Sequence, residues 1–174
     1  MRKKIVFSLL VSILVQWGHA QHTQVYTNRD VLFNQGKEYF MQRKFAASYR
    51  SFEDYLKSAE VINAGQIQEA EYYMAADAYE LRQDNAWKLL TTYLTKHPYT
   101  PFQDKANAML GMLMYDKKYY PKALVYFNQV DDSHLGKRER VDFLFSKGYT
   151  CLPTKNYTQA LPIFEELKGM NTRY

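Results

Sequence analysis

The chain has 174 residues, 47% hydrophobic and 24% charged, which supplies a core for one packed domain and excludes a disordered tail. Its net charge of +5 falls to +2 once Arg2, Lys3 and Lys4 are set aside, 20 basic residues then facing 18 acidic ones, so charge gives no case for nucleic acid as a partner. The one cysteine, Cys151, excludes an intramolecular disulfide and any cysteine-based metal cluster.

Residues 1–20 have the three-part layout of a secretory signal peptide. Arg2, Lys3 and Lys4 form the basic start, and Ile5 to Val15 is an apolar run broken only by Ser8 and Ser12. Small residues at Gly18 and Ala20 then place cleavage after Ala20. The apolar run is well short of the ~20 residues a helix needs to cross a bilayer. With no cysteine near the cleavage point, a lipid anchor is not expected either. The mature chain is therefore read as exported, periplasmic or outer-membrane-associated, without a transmembrane helix. Residues 21–28 are polar and read as a linker.

From residue 29 an internal repeat organises the chain. Gly111 and Gly148 lie 37 residues apart, and so do Tyr120 and Tyr157, Ala123 and Ala160, and Phe127 and Phe164. Gly36, Phe45, Ser48 and Phe52 follow the same frame near the start. A further copy, with an inter-helix turn two residues shorter, carries Ala76, Ala86, Leu90 and Tyr93. Four copies result, roughly 29–62, 66–98, 101–133 and 137–169, followed by an uncapped end at 170–174.

Each copy reads as two helices. Leu32, Gly36 and Tyr39, and then Ser48, Phe52 and Tyr55, recur at i, i+4, i+7 and mark one face of successive helices. Small residues at Gly36, Ala76, Gly111 and Gly148 stand where helix axes must come close, since a larger side chain would open voids. Pro98 and Pro101 predict a helix ending at Lys96 or His97, and Pro121 fits a first helical turn. Pro162 falls inside the last helix and predicts a kink. Asn156 is read as an N-cap rather than a glycan acceptor. Ile163, Phe164 and Leu167 are expected to leave apolar surface open at the last repeat, which favours a longer array or self-association there.

These features resemble the tetratricopeptide repeat (TPR) family. The first-helix pattern appears as Leu32, Gly36, Tyr39 and as Tyr72, Ala76, Tyr79; the second-helix pattern appears as Ala123, Phe127, Val130 and as Ala160, Phe164, Leu167. The resemblance implies an all-α solenoid of antiparallel helix pairs, lined on its concave face by first helices, that binds a protein or peptide. Similar exported repeat proteins serve outer-membrane assembly or coordinate cell-wall work.

One position off the packing stripe, the candidate partner-binding groove comprises Phe33 and Lys37, Tyr73 and Asp77, Met112 and Tyr115, and Phe145 and Tyr149. Each pair spans three or four residues and shares a helix side. Family members that clamp a C-terminal carboxylate use Lys and Asn at such places; Phe33 with Lys37 and Tyr73 with Asp77 do not assemble that clamp. No catalytic, metal or cofactor site is expected. His22, His97 and His134 are far apart in the repeat frame, Cys151 reads as a small hydrophobe, and no metalloprotease or phosphate-cradling motif occurs. Lys137, Arg138 and Arg140 read as a solvated helix start. The sixteen tyrosines leave a glycan- or peptidoglycan-binding role as the alternative.

Overall fold

The structure, a computed structural model, describes residues 30–58 and 63–170. The expected export signal, the linker and residues 171–174 lie outside the described residues. Eight α-helices and one 3-10 turn, with no strand, make up the described residues: α1 (30–41), α2 (Phe45–Lys57), α3 (Ala64–Glu80), α4 (Ala86–Lys96), α5 (Gln103–Asp116), α6 (Tyr120–Phe127), η1 (Asp132–His134), α7 (Lys137–Cys151) and α8 (Tyr157–Gly169). The fold is all-α, built of consecutive helix pairs. The chain forms two compact units, Met1–Tyr73 and Met74–Tyr174, with the border inside α3.

The turns inside the four helix pairs share one backbone device. Arg43, Arg82, Lys118 and Lys155 each adopt a left-handed conformation, with φ of 58°, 54°, 61° and 58°. The next residue's N–H then reaches a carbonyl five residues back: Lys44 to Tyr39, Gln83 to Ala78, Tyr119 to Met114 and Asn156 to Cys151, at 2.8–2.9 Å. This is the Schellman closure, which satisfies the last carbonyls of a helix. Glycine is its usual residue; here a cationic side chain stands at the negative end of the helix dipole instead.

In the first unit, α1 packs on α2 through Phe33, which meets Phe52 at 5.9 Å and Tyr55 at 5.2 Å between ring centroids. Gly36, one turn on, makes room for Phe52: a Cβ there would come within 2.8 Å of that ring. The buried stripe of α1 is thus Phe33 and Gly36, whereas Leu32 and Tyr39 are half-buried. Both stripes pass through Gly36, and the ring at 33 takes the gap.

In the second unit Phe127 of α6 sits fully buried over Gly111 of α5, edge-on to Phe143 of α7 at 5.4 Å. Met114, Ala123, Leu135, Leu144 and Ile163 complete this core. Leu124, Cys151 and Ala160 form a second cluster against Phe164. Burying a ring such as Phe127 contributes about 1.5–3 kcal/mol. α4 ends at Lys96, as Pro98 and Pro101 predict, and Pro121 occupies the first turn of α6.

Three expectations need correction. α8 runs through Pro162 without a break, the proline being exposed at a point where no packed neighbour needs the missing N–H. Asn156 precedes α8 but makes no side-chain cap; its amide donates to Gln159 Oε1 at 2.8 Å, while its backbone carbonyl accepts from Gln159 and Ala160. Ile163 and Leu167 are not open apolar surface, because both pack on the Phe127 core; the exposed apolar residues of α8 are Tyr157 and Leu161.

Polar contacts hold the α6–α7 connection. Asp104, in the first turn of α5, accepts from Asp131 N–H at 2.8 Å and meets His134 Nδ1 at 2.6 Å. Arg140 bridges Asp132 at 2.5 Å and Glu166, so only Lys137 and Arg138 of the basic stretch are freely solvated.

Two predictions follow from this packing. Gly111→Ala drives a methyl into the Phe127 ring and is expected to cost on the order of 1–3 kcal/mol despite the better helix propensity of alanine. At Gly148 the nearest ring atom to an added Cβ is 3.0 Å away, at the half-buried Phe164, so Gly148→Ala is milder. Thermal melts followed by circular dichroism rank the two; equal melting temperatures contradict this packing.

The Asp104 contact holds the His134 imidazolium above its usual pKa. Its contribution to stability is therefore full below the unfolded value near 6.5 and is lost as pH rises through the folded one. Between pH 6 and pH 8 the melting temperature of the wild type is expected to fall more than that of His134→Gln. Parallel slopes would dismiss the contact.

Candidate functional surface

Within the second unit, α5, α6 and α7 together present an aromatic surface. Tyr115 lies in the last turn of α5, Tyr120 opens α6, and Phe145 and Tyr149 stand one turn apart on α7. The Tyr115 ring is edge-on to Tyr149 at 5.9 Å and to Tyr120 at 6.1 Å, and Tyr120 is 6.4 Å from Tyr149, which closes a triangle of rings. Phe145 stacks on Tyr149 at 6.4 Å and 25°. Edge-to-face pairs of this kind contribute about 0.5–1.5 kcal/mol beyond burial, so the rings hold one another in place without deeper support.

Phe145 and Tyr149 remain 53% and 43% exposed, large apolar rings kept at the surface while neighbours on the same helix are buried. Phe143, Leu144, Ser146 and Gly148 turn inward, which leaves 145 and 149 on the opposite side of α7. Met112 is half-buried and packs on the Phe127 core beneath the surface. Burial, then the Tyr149 and Tyr120 phenols and the Asp116 carboxylate, push the Tyr115 phenol up. Among the described residues, the hydroxyls of Tyr115, Tyr120 and Tyr149 make no hydrogen bond.

The residues expected in the groove thus separate. Met112, Tyr115, Phe145 and Tyr149 come together as one cluster. Phe33 and Asp77 do not line a surface: they are 5% and 0% exposed, because the core stripe of each helix is turned one position from the expected one. Tyr73 is half-buried in the first unit, stacked flat on Phe52 at 5.2 Å and 4° and edge-on to Phe40 at 4.8 Å, so it is a packing ring. Lys37 is tied to Glu69 at 2.6 Å and lies over the Phe33 ring. Tyr120 is the member that sequence reasoning missed. Its place in the repeat frame with Tyr157 marked it as a recurring residue, but nothing in that spacing showed it would turn toward α7.

Other reactive side chains have structural explanations. Cys151 is fully buried, and burial pushes its thiol up, away from the thiolate a nucleophile needs. Lys147 donates to the Phe127 carbonyl at 3.3 Å, at the C-terminus of α6, and lies over the Phe143 ring; burial lowers its pKa. Among the described residues no group of three His, Cys, Asp or Glu side chains is placed to hold a metal ion.

No family model matches the sequence, and no curated protein sequence matches it. Among solved structures, that of YrrB, described as a TPR protein with an unusual peptide-binding site, superposes with a TM-score of 0.56. The match covers 82% of this chain and 69% of YrrB at 17% sequence identity. The fold is TPR-like.

The two classes of ring predict different costs of truncation. Phe33→Ala is expected to lose about 3–5 kcal/mol, as for a buried phenylalanine. Tyr149→Ala and Phe145→Ala are each expected to lose less than about 1 kcal/mol, as for surface residues away from the core. Urea denaturation read by far-UV circular dichroism makes the comparison. A Tyr149→Ala loss equal to that of Phe33→Ala would place the ring in the core.

Proposed function

We propose that the chain is a protein-binding TPR scaffold, an exported adaptor that holds a protein or peptide partner in the bacterial cell envelope. The observation that carries this reading is the exposed ring cluster of Tyr115, Tyr120, Phe145 and Tyr149 on α5, α6 and α7. Aromatic rings anchor protein interfaces because they bury large area at small entropic cost, and a cluster fixed by its own edge contacts is already organised for a partner. The peptide-binding site named for YrrB supports the same use of a similar fold. No described helix is long and apolar enough to cross a membrane.

Export rests on the N-terminal pattern, from the basic Arg2–Lys4 start to Ala20. A place in outer-membrane assembly or cell-wall coordination is the finer part of the proposal. A binding role is favoured over a catalytic one because the reactive side chains, Cys151, Lys147 and His134, are each engaged in packing or loop contacts away from the ring cluster.

The test is a crosslinking pull-down from the native envelope with the full chain as bait, run beside the Phe145→Ala/Tyr149→Ala variant. The expected result is one stoichiometric envelope protein captured by wild type and lost with the variant. Capture unaffected by the variant would move the site elsewhere. Co-purification of glycan or peptidoglycan, with no protein, would turn the rings into a sugar platform. N-terminal sequencing of the native protein is expected to begin at Gln21.

A further inference from the structure

Resting on the peptide-binding reading above, the ring cluster also specifies the chemistry of what it takes. A wholly apolar partner laid over Tyr115, Tyr120 and Tyr149 would remove water from three phenol oxygens that have no hydrogen-bond partner among the described residues. Buried without partners, these groups oppose docking. The occupant must therefore bring polar groups to the ring tips while stacking on the rings.

Charge decides which polar groups. Asp116, the last residue of α5 and next to Tyr115, is exposed and forms no ion pair among the described residues. It stands at the C-terminal end of α5, where the helix dipole also favours a cation. The neighbouring cations are directed elsewhere or act too weakly to register: Lys122 lies over Tyr119, Lys147 over Phe143, and neither Lys117 nor Lys118 is among the groups that act on the Tyr115 phenol. The surface thus combines electron-rich ring faces, three free oxygen acceptors and an unneutralised carboxylate.

We propose that this cluster is an arginine-reading site, in which a guanidinium of the partner polypeptide stacks on Tyr149 and Phe145 and donates to the tyrosine oxygens and to Asp116. A guanidinium is planar, weakly hydrated and carries five donors in a fixed fork, and so meets both demands at once. An ammonium supplies charge without the stacking plane. A sugar supplies hydroxyls, but the mutually edge-on rings of Tyr115, Tyr120 and Tyr149 offer no continuous flat ladder for it, and it leaves Asp116 unneutralised.

The test uses the full chain with ring-labelled tyrosine, observed by NMR during titration with three probes. The first is an acetylated, amidated five-residue peptide alternating leucine and arginine. The second replaces each arginine by citrulline, equal in shape but uncharged, and the third is chitotriose. The expected result is movement of the Tyr115, Tyr120 and Tyr149 signals, with that of the exposed Tyr157 unmoved, and an affinity for the arginine peptide roughly three- to tenfold above the citrulline peptide. Asp116→Asn narrows that ratio, and Tyr149→Ala abolishes it with the helical circular dichroism intact. Equal binding of both peptides at these rings would overturn the arginine assignment and leave the peptide-binding reading standing. Ring shifts with chitotriose alone would overturn both, and no shift with any probe would overturn the arginine assignment.

Discussion

The structure depends on close approach between the two helices of a pair, and that approach is set by a glycine beneath an aromatic ring. Gly36 and Phe52, Gly111 and Phe127, and Gly148 and Phe164 recur at a separation of sixteen residues. In each case the space a Cβ would fill is taken by the ring. Glycine inside a helix is intrinsically unfavourable by about 0.5–1 kcal/mol. The cost is offset because the ring, laid flat against bare backbone, is buried and packed at once. In the remaining copy the exchange is smaller on both sides, with Ala76 and Leu90, each fully buried.

That constraint was legible in the sequence because it is periodic: a small residue, an alanine and a large ring at fixed offsets define both the pairs and their faces. What periodicity could not settle was the turn of each helix about its own axis. In α1 the stripes 32–36–39 and 33–36–40 both pass through Gly36. A one-position choice separates them, and Phe33 fills the core where Leu32 was expected. The same one-position offset carries Asp77 inside. For α5 and α7 the choice fell on the right side, since Tyr115, Phe145 and Tyr149 stand away from the buried Gly111 and Gly148.

The helix turns were hidden for a different reason. A Schellman turn is usually betrayed by glycine, yet all four left-handed positions hold arginine or lysine. Cationic residues are common on any helical surface, so nothing marked Arg43, Arg82, Lys118 and Lys155 as special until the backbone was seen. Asn156 shows the converse: its residue type suggested a cap, but the preceding Lys155 turn spends the Asn156 N–H on Cys151 O, and the side chain goes to Gln159 instead.

The distribution of rings then carries the functional argument. Of the aromatic side chains near the helix-pair interfaces, those at Phe33, Phe52, Phe127 and Phe143 are nearly or fully buried, and they are phenylalanines. The α5–α7 surface is instead mostly tyrosine, whose hydroxyl is costly in a dry core without a partner and useful at a boundary where a partner arrives. Phe145, 53% exposed, is the exception that makes the surface more than a wet edge, because packing within the chain does not call for a ring there. It stacks only on Tyr149, so the energy it holds in reserve is released when something covers the pair.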